Sequence, residues 1–300
     1  MLSQQSQRRY TNILAVVFWI FVSYSTANAS QIVGSEGYYI VQKGDTLDLI
    51  ASRLGLSSSK IRQDNQLTPN QRLKQGTMLK IDTRRILPKV LNNGIVINIP
   101  ERMLYYFKDS KAYMVFPVGL GKIFKSGDSN WHTPVGEFKI KAKQKDPTWY
   151  VPISIQREME KEGKAVEVIV SPGPDNPLGR FLLRTDIPNI HIHETIYLTS
   201  VHKFSSHGCI RVLPQHMEMF FKEVEVGTVG EIIYKPIKTL YENGRVYIEV
   251  HKDYYKQVKD LNEEAKRLLT QTGHISIVDW KKVEKALIDS YGSVVDVTAD

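Results

Sequence analysis

The residues with the clearest chemical potential surround the chain's only cysteine, Cys209, which lies in the run Ser-His-Gly-Cys-Ile-Arg at 206–211. A cysteine thiolate is a nucleophile, and a nearby imidazole can lower the thiol pKa and accept its proton. Upstream, His191 and His193 are separated by one residue, as on a β-strand whose alternation turns both imidazoles to one face. The sequence therefore predicts a nucleophilic cysteine paired with a histidine base.

The neighbours of the cysteine suit attack on a carbonyl carbon. Gly208 has no side chain and lets a substrate carbonyl come close, and successive main-chain N–H groups in a turn at 207–209 can form an oxyanion hole. Arg211 offers a fork of donors that matches a carboxylate. We expect Ser206, His207, Gly208 and Arg211 to support the oxyanion and to hold the substrate beside the thiol.

The same residues allow other interpretations. His191 and His193 could be two zinc ligands, with the third being His202, His207 or Cys209. Ser205 or Ser206 could be a serine nucleophile, although no Gly-x-Ser-x-Gly run surrounds either. A lone cysteine is often a small buried hydrophobic residue. A single cysteine does exclude an intrachain disulfide framework and a multi-thiolate zinc cluster.

The elements that must position these residues are mostly strands. From Asn93 onward, extended apolar segments are separated by turns rich in proline and glycine, which indicates a β-rich domain. The predicted strands are 95–99, 103–107, 112–118, 138–142, 166–170, 181–184, 189–193 and 229–234. The fold class is therefore mainly β with some α.

These motifs resemble the YkuD-type L,D-transpeptidase catalytic domain. Its signature, Ile-His-Gly-Thr followed by Ser-His-Gly-Cys-Ile-Arg, is matched at 192–195 and 206–211, with further matches at 133–138 and 172–181. The resemblance implies a β-sandwich-like domain over 93–235, with Cys209 as nucleophile, His193 as base, and Arg211 and His207 lining the donor site. His191 remains the competing base, because only the family register favours His193.

Two features depart from the family pattern. Glu194 stands where the family usually has glycine, and the loop 196–205 lacks the glycine often seen there. The resemblance implies that the main-chain carbonyl just after the base histidine is the third catalytic element, which a side-chain change need not remove. We therefore expect Glu194 to alter the loop shape or the choice of acceptor. The alternative is that it marks an inactive site.

An earlier segment, residues 38–82, has the order strand, helix, helix, strand. One apolar helix face is predicted from the spacing of Leu47, Ile50, Ala51 and Leu54. The run Gly-Asp-Thr-Leu at 44–47, Asn65, and the Leu-x-x-Gly-x-x-Leu-x-Ile ending at 73–81 resemble a LysM module. The resemblance implies a small βααβ domain that binds the N-acetylglucosamine-containing glycan of peptidoglycan.

Residues 1–29 have the layout of a secretory signal peptide, with Arg8 and Arg9 before an apolar stretch at 13–24 and Ala-Asn-Ala at 27–29. The stretch is shorter than the roughly 20 residues of a spanning helix. We therefore expect cleavage after Ala29, export to the periplasm and no stable membrane insertion. Removal of Arg8 and Arg9 with this segment takes the net charge from +8 to +6, which fits an anionic envelope polymer better than nucleic acid.

Two segments flank the catalytic domain. Residues 83–92 are predicted to be a linker, and residues 236–300 a partly helical C-terminal extension. Its helices are indicated by two apolar stripes, Tyr255, Val258, Leu261, Ala265 and Leu268, and then Trp280, Val283 and Leu287. We expect these helices to pack against the catalytic domain.

The sequence thus predicts an exported peptidoglycan L,D-transpeptidase that needs no metal or organic cofactor. As the resemblance implies, it would cleave the bond before the terminal D-alanine of a tetrapeptide stem through a thioester on Cys209. The acceptor stays open: a diaminopimelate amine of a second stem, a lysine of an outer-membrane lipoprotein, or water, which would make an L,D-carboxypeptidase. The alternative of a different class is a non-catalytic peptidoglycan-binding protein.

Overall fold

A computed structural model describes residues 30–69, 71–123 and 131–300, so the signal peptide predicted at 1–29 lies outside the described residues. The N-terminal elements form the predicted LysM segment and the short strands on either side of it. They are β1 (Ile32–Val33), β2 (Glu36–Ile40), α1 (Leu47–Leu54), α2 (Ser58–Asp64), β3 (Met78–Asp82) and β4 (Arg85–Ile86). β2 and β3 pair antiparallel beneath the two helices, which confirms the βααβ order.

Local signals in the sequence set the ends of α1. The hydroxyl of Thr46 accepts the N–H of Leu49 at 3.2 Å, and Gly55 ends the helix in the left-handed region at φ 65°. Asn65, part of the motif, braces β3: its side chain accepts the N–H of Lys80 at 2.7 Å and donates to the Lys80 oxygen at 2.9 Å. The motif residues therefore hold the small domain together.

The next elements form the central domain. The strands are β5 (Gly94–Asn98), β6 (Met103–Lys108), β7 (Lys111–Gly121), β8 (Gly136–Lys145), β9 (Trp149–Tyr150), β10 (Ile169–Val170), β11 (Phe181–Thr185), β12 (His191–Glu194), β13 (Phe204–Ser206), β14 (Ile210–Val212) and β15 (Val229–Ile233). The helices are α3 (Ile153–Lys161) and α4 (Pro214–Glu223), with a short 3-10 turn at Leu198–Ser200. Each predicted strand has a counterpart, although β10 is shorter than predicted.

Nine strands make one strongly bent sheet, in the order β13-β7-β14-β12-β11-β8-β15-β5-β6. β7 is long enough to pair with β6 along its first half and with β13 and β14 along its second. β8 likewise pairs with β15 and then with β11. Two half-sheets therefore share these strands and face each other across a buried apolar core, which confirms the β-sandwich-like class.

The C-terminal residues contain β16 (Ile237–Glu242), β17 (Arg245–His251), α5 (Leu261–Gln271), α6 (Trp280–Asp289) and β18 (Tyr291–Asp296), with a 3-10 turn at Ile275–Ile277. The predicted helices are present, but α5 begins at Leu261, so Tyr255 and Val258 precede it. The extension also holds a three-stranded antiparallel sheet in the order β16-β17-β18, which sequence analysis missed. The two helices pack against this sheet around a separate apolar core.

A buried ionic cluster joins the extension to the central sheet and to β4. The ammonium of Lys238 lies 3.0 Å from the Glu101 carboxylate and 2.7 Å from that of Glu249, and it donates to the main-chain oxygen of Ile86 at 2.7 Å. Glu249 also accepts the N–H of Ile86 at 2.6 Å. Within residues 83–92, β4 is therefore fixed to both neighbouring parts of the molecule.

Candidate active site

Cys209 lies in the tight turn that connects β13 to β14. The hydroxyl of Ser206 donates to the main-chain oxygen of Cys209 at 2.6 Å and accepts the N–H of Gly208 at 3.1 Å. Gly208 has φ 107°, and a Cβ there would lie 2.9 Å from the side chain of Ile190. The turn therefore requires glycine at 208 and uses the Ser206 hydroxyl as a brace, which leaves that hydroxyl poorly placed to be a nucleophile.

The thiol of Cys209 is partly exposed. Its Sγ donates to the main-chain oxygen of Asn189 at 3.4 Å. Burial raises the pKa of the Cys209 thiol above its ordinary value, although the main-chain N–H of His191 and the charge of Arg211 act in the opposite direction. The resting group is therefore a neutral thiol at neutral pH, and it needs a base to become a nucleophile.

His193 reaches the same region through parallel pairing of β12 with β14, in which His193 is the partner of Arg211. Its Nδ1 lies 2.6 Å from the main-chain oxygen of Glu194. Because that oxygen can only accept, Nδ1 carries the proton and Nε2 is the nitrogen able to accept one. Burial, helped by the charge of Arg211, lowers the pKa of His193 to about 3, so the imidazole is neutral.

One cavity of about 870 Å³ brings most of the predicted site residues together. It is lined by Cys209, His193, Ser206, His207 and Arg211, among others. Neither His191 nor Gly208 lines it, although the main chain of His191 supports the thiol.

The arginine in this cavity is held loosely by its neighbours. The Arg211 guanidinium lies 5.9 Å from the ring centre of Tyr197 and 3.5 Å from the hydroxyl of Ser205. Salt bridges among the described residues do not include Arg211. Its donors are therefore available to a carboxylate entering the cavity.

Sequence analysis missed a second charged group beside the site. Glu158, on α3, forms a hydrogen bond with Nε2 of His207 and an ion pair of 2.7 Å with Lys122. His207 also packs edge-on against Trp131, with 4.4 Å between ring centres. Burial alone would raise the pKa of Glu158, but the hydrogen bonds from Lys122 and His207 lower it below its ordinary value. The carboxylate thus ties α3 to the cysteine turn.

The C-terminal extension also supports the turn. The hydroxyl of Thr133 donates to the Gly208 oxygen at 2.9 Å. The Tyr255 hydroxyl accepts the N–H of Thr133 at 3.2 Å and donates to the Gly121 oxygen at 2.8 Å. Thr133 belongs to a family motif and could be found from sequence, whereas Tyr255 was predicted only as part of an apolar stripe and not as a hydrogen-bond partner of Thr133.

Glu194, the departure from the family pattern, is buried behind the histidine. One carboxylate oxygen lies 3.4 Å from Nε of Arg180, and the other is buried with no hydrogen-bond partner among the described residues. The side chain packs on Gly179. Its main-chain oxygen still accepts from His193, so the substitution leaves that bond in place.

The zinc ligands proposed from the sequence are not assembled. Among the described residues, one group of three possible ligand atoms lies within 4.8 Å of one another: Glu101, Glu249 and His251. The ammonium of Lys238 already neutralises those carboxylates, which makes the group a poor cation site. Nε2 of His202 instead lies 3.2 Å from the main-chain oxygen of Glu101. Separately, no helix among the described residues has the length and apolar character needed to cross a bilayer.

The chain is similar in sequence to known protein families. The family profile of the L,D-transpeptidase catalytic domain matches residues 92–248, and that of the LysM domain matches residues 39–82. "Probable L,D-transpeptidase YbiS" of Escherichia coli is 32% identical over 253 residues, covering 80% of each chain. "Probable L,D-transpeptidase ErfK/SrfK" of the same species is 30% identical over 310 residues, covering 97% of this chain and 98% of the relative. An NMR structure of the catalytic domain of the E. faecium L,D-transpeptidase is 21% identical, with a TM-score of 0.34, and covers 47% of this chain and 96% of that chain.

Proposed function

Because the chain belongs to the L,D-transpeptidase family, we propose that it is an exported enzyme that acts on peptidoglycan stem peptides through a thioester on Cys209. The observation that carries the proposal is the cavity of about 870 Å³ that Cys209, His193 and Arg211 line together. The LysM and transpeptidase families both imply peptidoglycan as the ligand. The layout of residues 1–29 supports export to the periplasm.

The first half-reaction begins with proton transfer. Nε2 of neutral His193 takes the proton of the Cys209 thiol, and the thiolate attacks the carbonyl carbon between the third stem residue and the terminal D-alanine. The hydrogen bond from Nδ1 to the Glu194 oxygen orients the ring and stabilises the imidazolium. The imidazolium then returns its proton to the departing amine of D-alanine, which leaves a thioester on Cys209.

Charge that develops on the substrate oxygen needs donors. The N–H of Gly208 is already used by Ser206, so we assign the oxyanion role to the main-chain N–H of Cys209 at the end of the same turn. Arg211 binds a carboxylate of the donor stem and holds the scissile bond in the cavity. His207, fixed by Glu158 and Trp131, forms the adjoining wall.

In the second half-reaction an acceptor amine attacks the thioester carbon, and neutral His193 takes the amine proton. The C–S bond breaks as the new amide forms, and the imidazolium returns the proton to the departing Cys209 thiolate, which restores the resting pair. A diaminopimelate amine would give a 3-3 cross-link, and a lysine of an outer-membrane lipoprotein would give attachment of that protein to the wall. The partly exposed thiol and the wide cavity leave room for either acceptor.

Product analysis tests the proposal. Purified disaccharide-tetrapeptide is incubated with the reduced mature protein, and the products are separated and identified by mass. We expect release of D-alanine and a cross-linked dimer, both absent with Cys209→Ala. Release of D-alanine without a dimer would identify water as the acceptor and an L,D-carboxypeptidase. If the tetrapeptide is unchanged while the protein still binds sacculi, the chain is a non-catalytic binding protein.

A further inference from the structure

A second cavity, of about 360 Å³, lies where three parts of the molecule meet. Its walls come from the start of α1 and α2, from residues 202–204 of the central domain, and from residues 251–254 and 290–291 of the extension. Cavities of this size hold small ligands or part of a larger one. The segment 197–206 separates it from the catalytic cavity: Tyr197 and Ser206 line the catalytic side, and His202 to Phe204 line this one.

The charge of this junction cavity is positive. Arg102, Lys203 and Lys252 line it, and Asp48 is the one carboxylate among the described residues that do so. Asp48 is 3.7 Å from Lys203, whereas Lys252 forms no ion pair with any described residue. Hydroxyl donors are supplied by the serines at 57–59 and by Tyr254.

Arg102 is the deepest of these charges, with 9% of its surface exposed. Its guanidinium lies 5.1 Å from the ring centre of Phe204 and 5.0 Å from that of Tyr254. Its Nε has no hydrogen-bond partner among the described residues, and its Nη2 lies 3.5 Å from Nε2 of His202. Burial lowers the pKa of Arg102, although the hydrogen bond and charge of Tyr254 and the charge of Glu101 act in the opposite direction, so its charge is costly and only partly compensated within the protein. An anion bound in the cavity would add the missing countercharge for Arg102.

We propose that the junction cavity binds a carboxylate of the peptidoglycan polymer outside the reacting bond, with Arg102 and Lys252 as its cationic partners. The inference rests on the proposed function, because stem peptides carry free carboxylates beside the glycan that the LysM domain would hold. A polymer bound at the junction is separated from the catalytic cavity only by the segment 197–206. The site would therefore raise the affinity for polymeric substrate without contacting the thiol.

Two exposed positions test the site without disturbing the buried arginine. Lys252→Glu should weaken binding of a disaccharide-tripeptide, which lacks the scissile D-alanine, by about fivefold. Asp48→Asn should tighten it, because it removes the carboxylate that repels the ligand. Lys281→Glu, an equal charge change on α6 outside the cavity, should leave binding unchanged. Binding is measured by calorimetry on full-length mature protein at low and high salt.

Further ligands separate the sources of the anion. The same muropeptide with its carboxylates amidated should bind the wild type and Lys252→Glu equally weakly. Equal affinity of all variants for the natural muropeptide, or tight binding of the amidated form, would overturn the proposal. Inorganic phosphate that binds more tightly than the muropeptide would also overturn it, in favour of a phosphate site.

A kinetic readout keeps this inference distinct from the proposed function. With polymeric substrate, Lys252→Glu should raise KM about fivefold and leave kcat unchanged. If the proposed function fails, the wild type forms no acyl-enzyme at all. If only the junction site fails, the wild type and Lys252→Glu acylate with the same KM.

Discussion

The side chain of Glu194 rests directly on Gly179: a Cβ added to Gly179 would lie 2.5 Å from Cβ of Glu194 and 2.7 Å from its Cγ. Gly179 also has φ 64°, a conformation that side chains disfavour. The glutamate that follows His193 is therefore accommodated by a glycine on a neighbouring segment, and the two positions should depend on each other.

This dependence predicts a coupled effect on stability. Gly179→Ala should lower the free energy of unfolding by about 2–3 kcal/mol, and Glu194→Gly in the same chain should recover about 1 kcal/mol or more. Gly163→Ala is the matched control, because Gly163 has φ 67° but no atoms near its absent Cβ. Denaturant unfolding is measured for Gly179→Ala, Glu194→Gly, the double variant and Gly163→Ala. Strict additivity of the two substitutions would contradict the packing described.

The two candidate bases predict different outcomes. His193→Ala should reduce kcat by about 10²–10⁴-fold, because the neutral thiol then has no proton acceptor. His191→Ala should keep most of the activity, since His191 acts on Cys209 through its main chain and its ring does not line the catalytic cavity. Single-turnover acylation of both variants measures this. The reverse order of losses would make His191 the base.

The resting state of the thiol predicts a pH dependence. The pKa of Cys209 is raised and that of His193 is lowered to about 3, so the pair is neutral rather than a thiolate beside an imidazolium. Alkylation by iodoacetamide should therefore rise about tenfold per pH unit between pH 6 and 8. Mass spectrometry gives the rate, with Cys209→Ala as the unlabelled control. A rate that is flat over this range would reveal a preformed thiolate.

The link between α3 and the cysteine turn should affect substrate binding. Glu158→Gln weakens the contacts with Lys122 and His207, so we expect KM for the tetrapeptide to rise about threefold with a smaller change in kcat. Glu160→Gln, two residues further along the same helix and exposed, is the control. Equal kinetics for the two variants would mean that Glu158 has no role in positioning the cysteine turn for substrate binding.

The buried ionic cluster predicts that the contact between the C-terminal extension and the central sheet is sensitive to acid. The pKa of Glu249 is lowered from 4.5 to about 2: burial opposes this shift, but the charge of Lys238 and the hydrogen bond of His251 outweigh it. A lowered pKa contributes stability above about pH 4.5, and that contribution is lost as the pH falls towards 2.

Lys238→Met should cost about 3–5 kcal/mol, because it leaves two buried carboxylates without their cation. It should also change the acid limb of the unfolding curve, since the depressed pKa of Glu249 depends on that cation. Lys259→Met, an exposed change, should do neither. Thermal unfolding between pH 2 and 7 checks both expectations, and parallel pH curves for wild type and Lys238→Met would contradict them.

Sequence alone predicted the elements that rest on local signals. The apolar helix face at 47–54, the turn glycine at Gly208 and the alternation around His193 are each encoded within a few residues, and the structure contains the corresponding elements. Glu158 and the hydrogen-bonding role of Tyr255 were missed because their partners, His207 and Thr133, lie far away in the chain, and only the folded sheet brings them together.

The C-terminal sheet could have been found. Asn243 and Gly244 both have positive φ and join β16 to β17, and an Asn-Gly pair between two apolar alternating runs is a strong signal for a tight hairpin. β18 carried a weaker signal, because its pairing partner β17 lies about forty residues earlier.

The most direct test of the account is the intact mass of the reduced mature protein after incubation with a disaccharide-tetrapeptide, or with a carbapenem as a trap. We predict a mass increase that equals the acyl group of the donor, located by peptide mapping at Cys209, and no increase for Cys209→Ala. An unmodified wild-type mass on folded, reduced protein would contradict a thioester mechanism and would leave the chain as a peptidoglycan-binding protein.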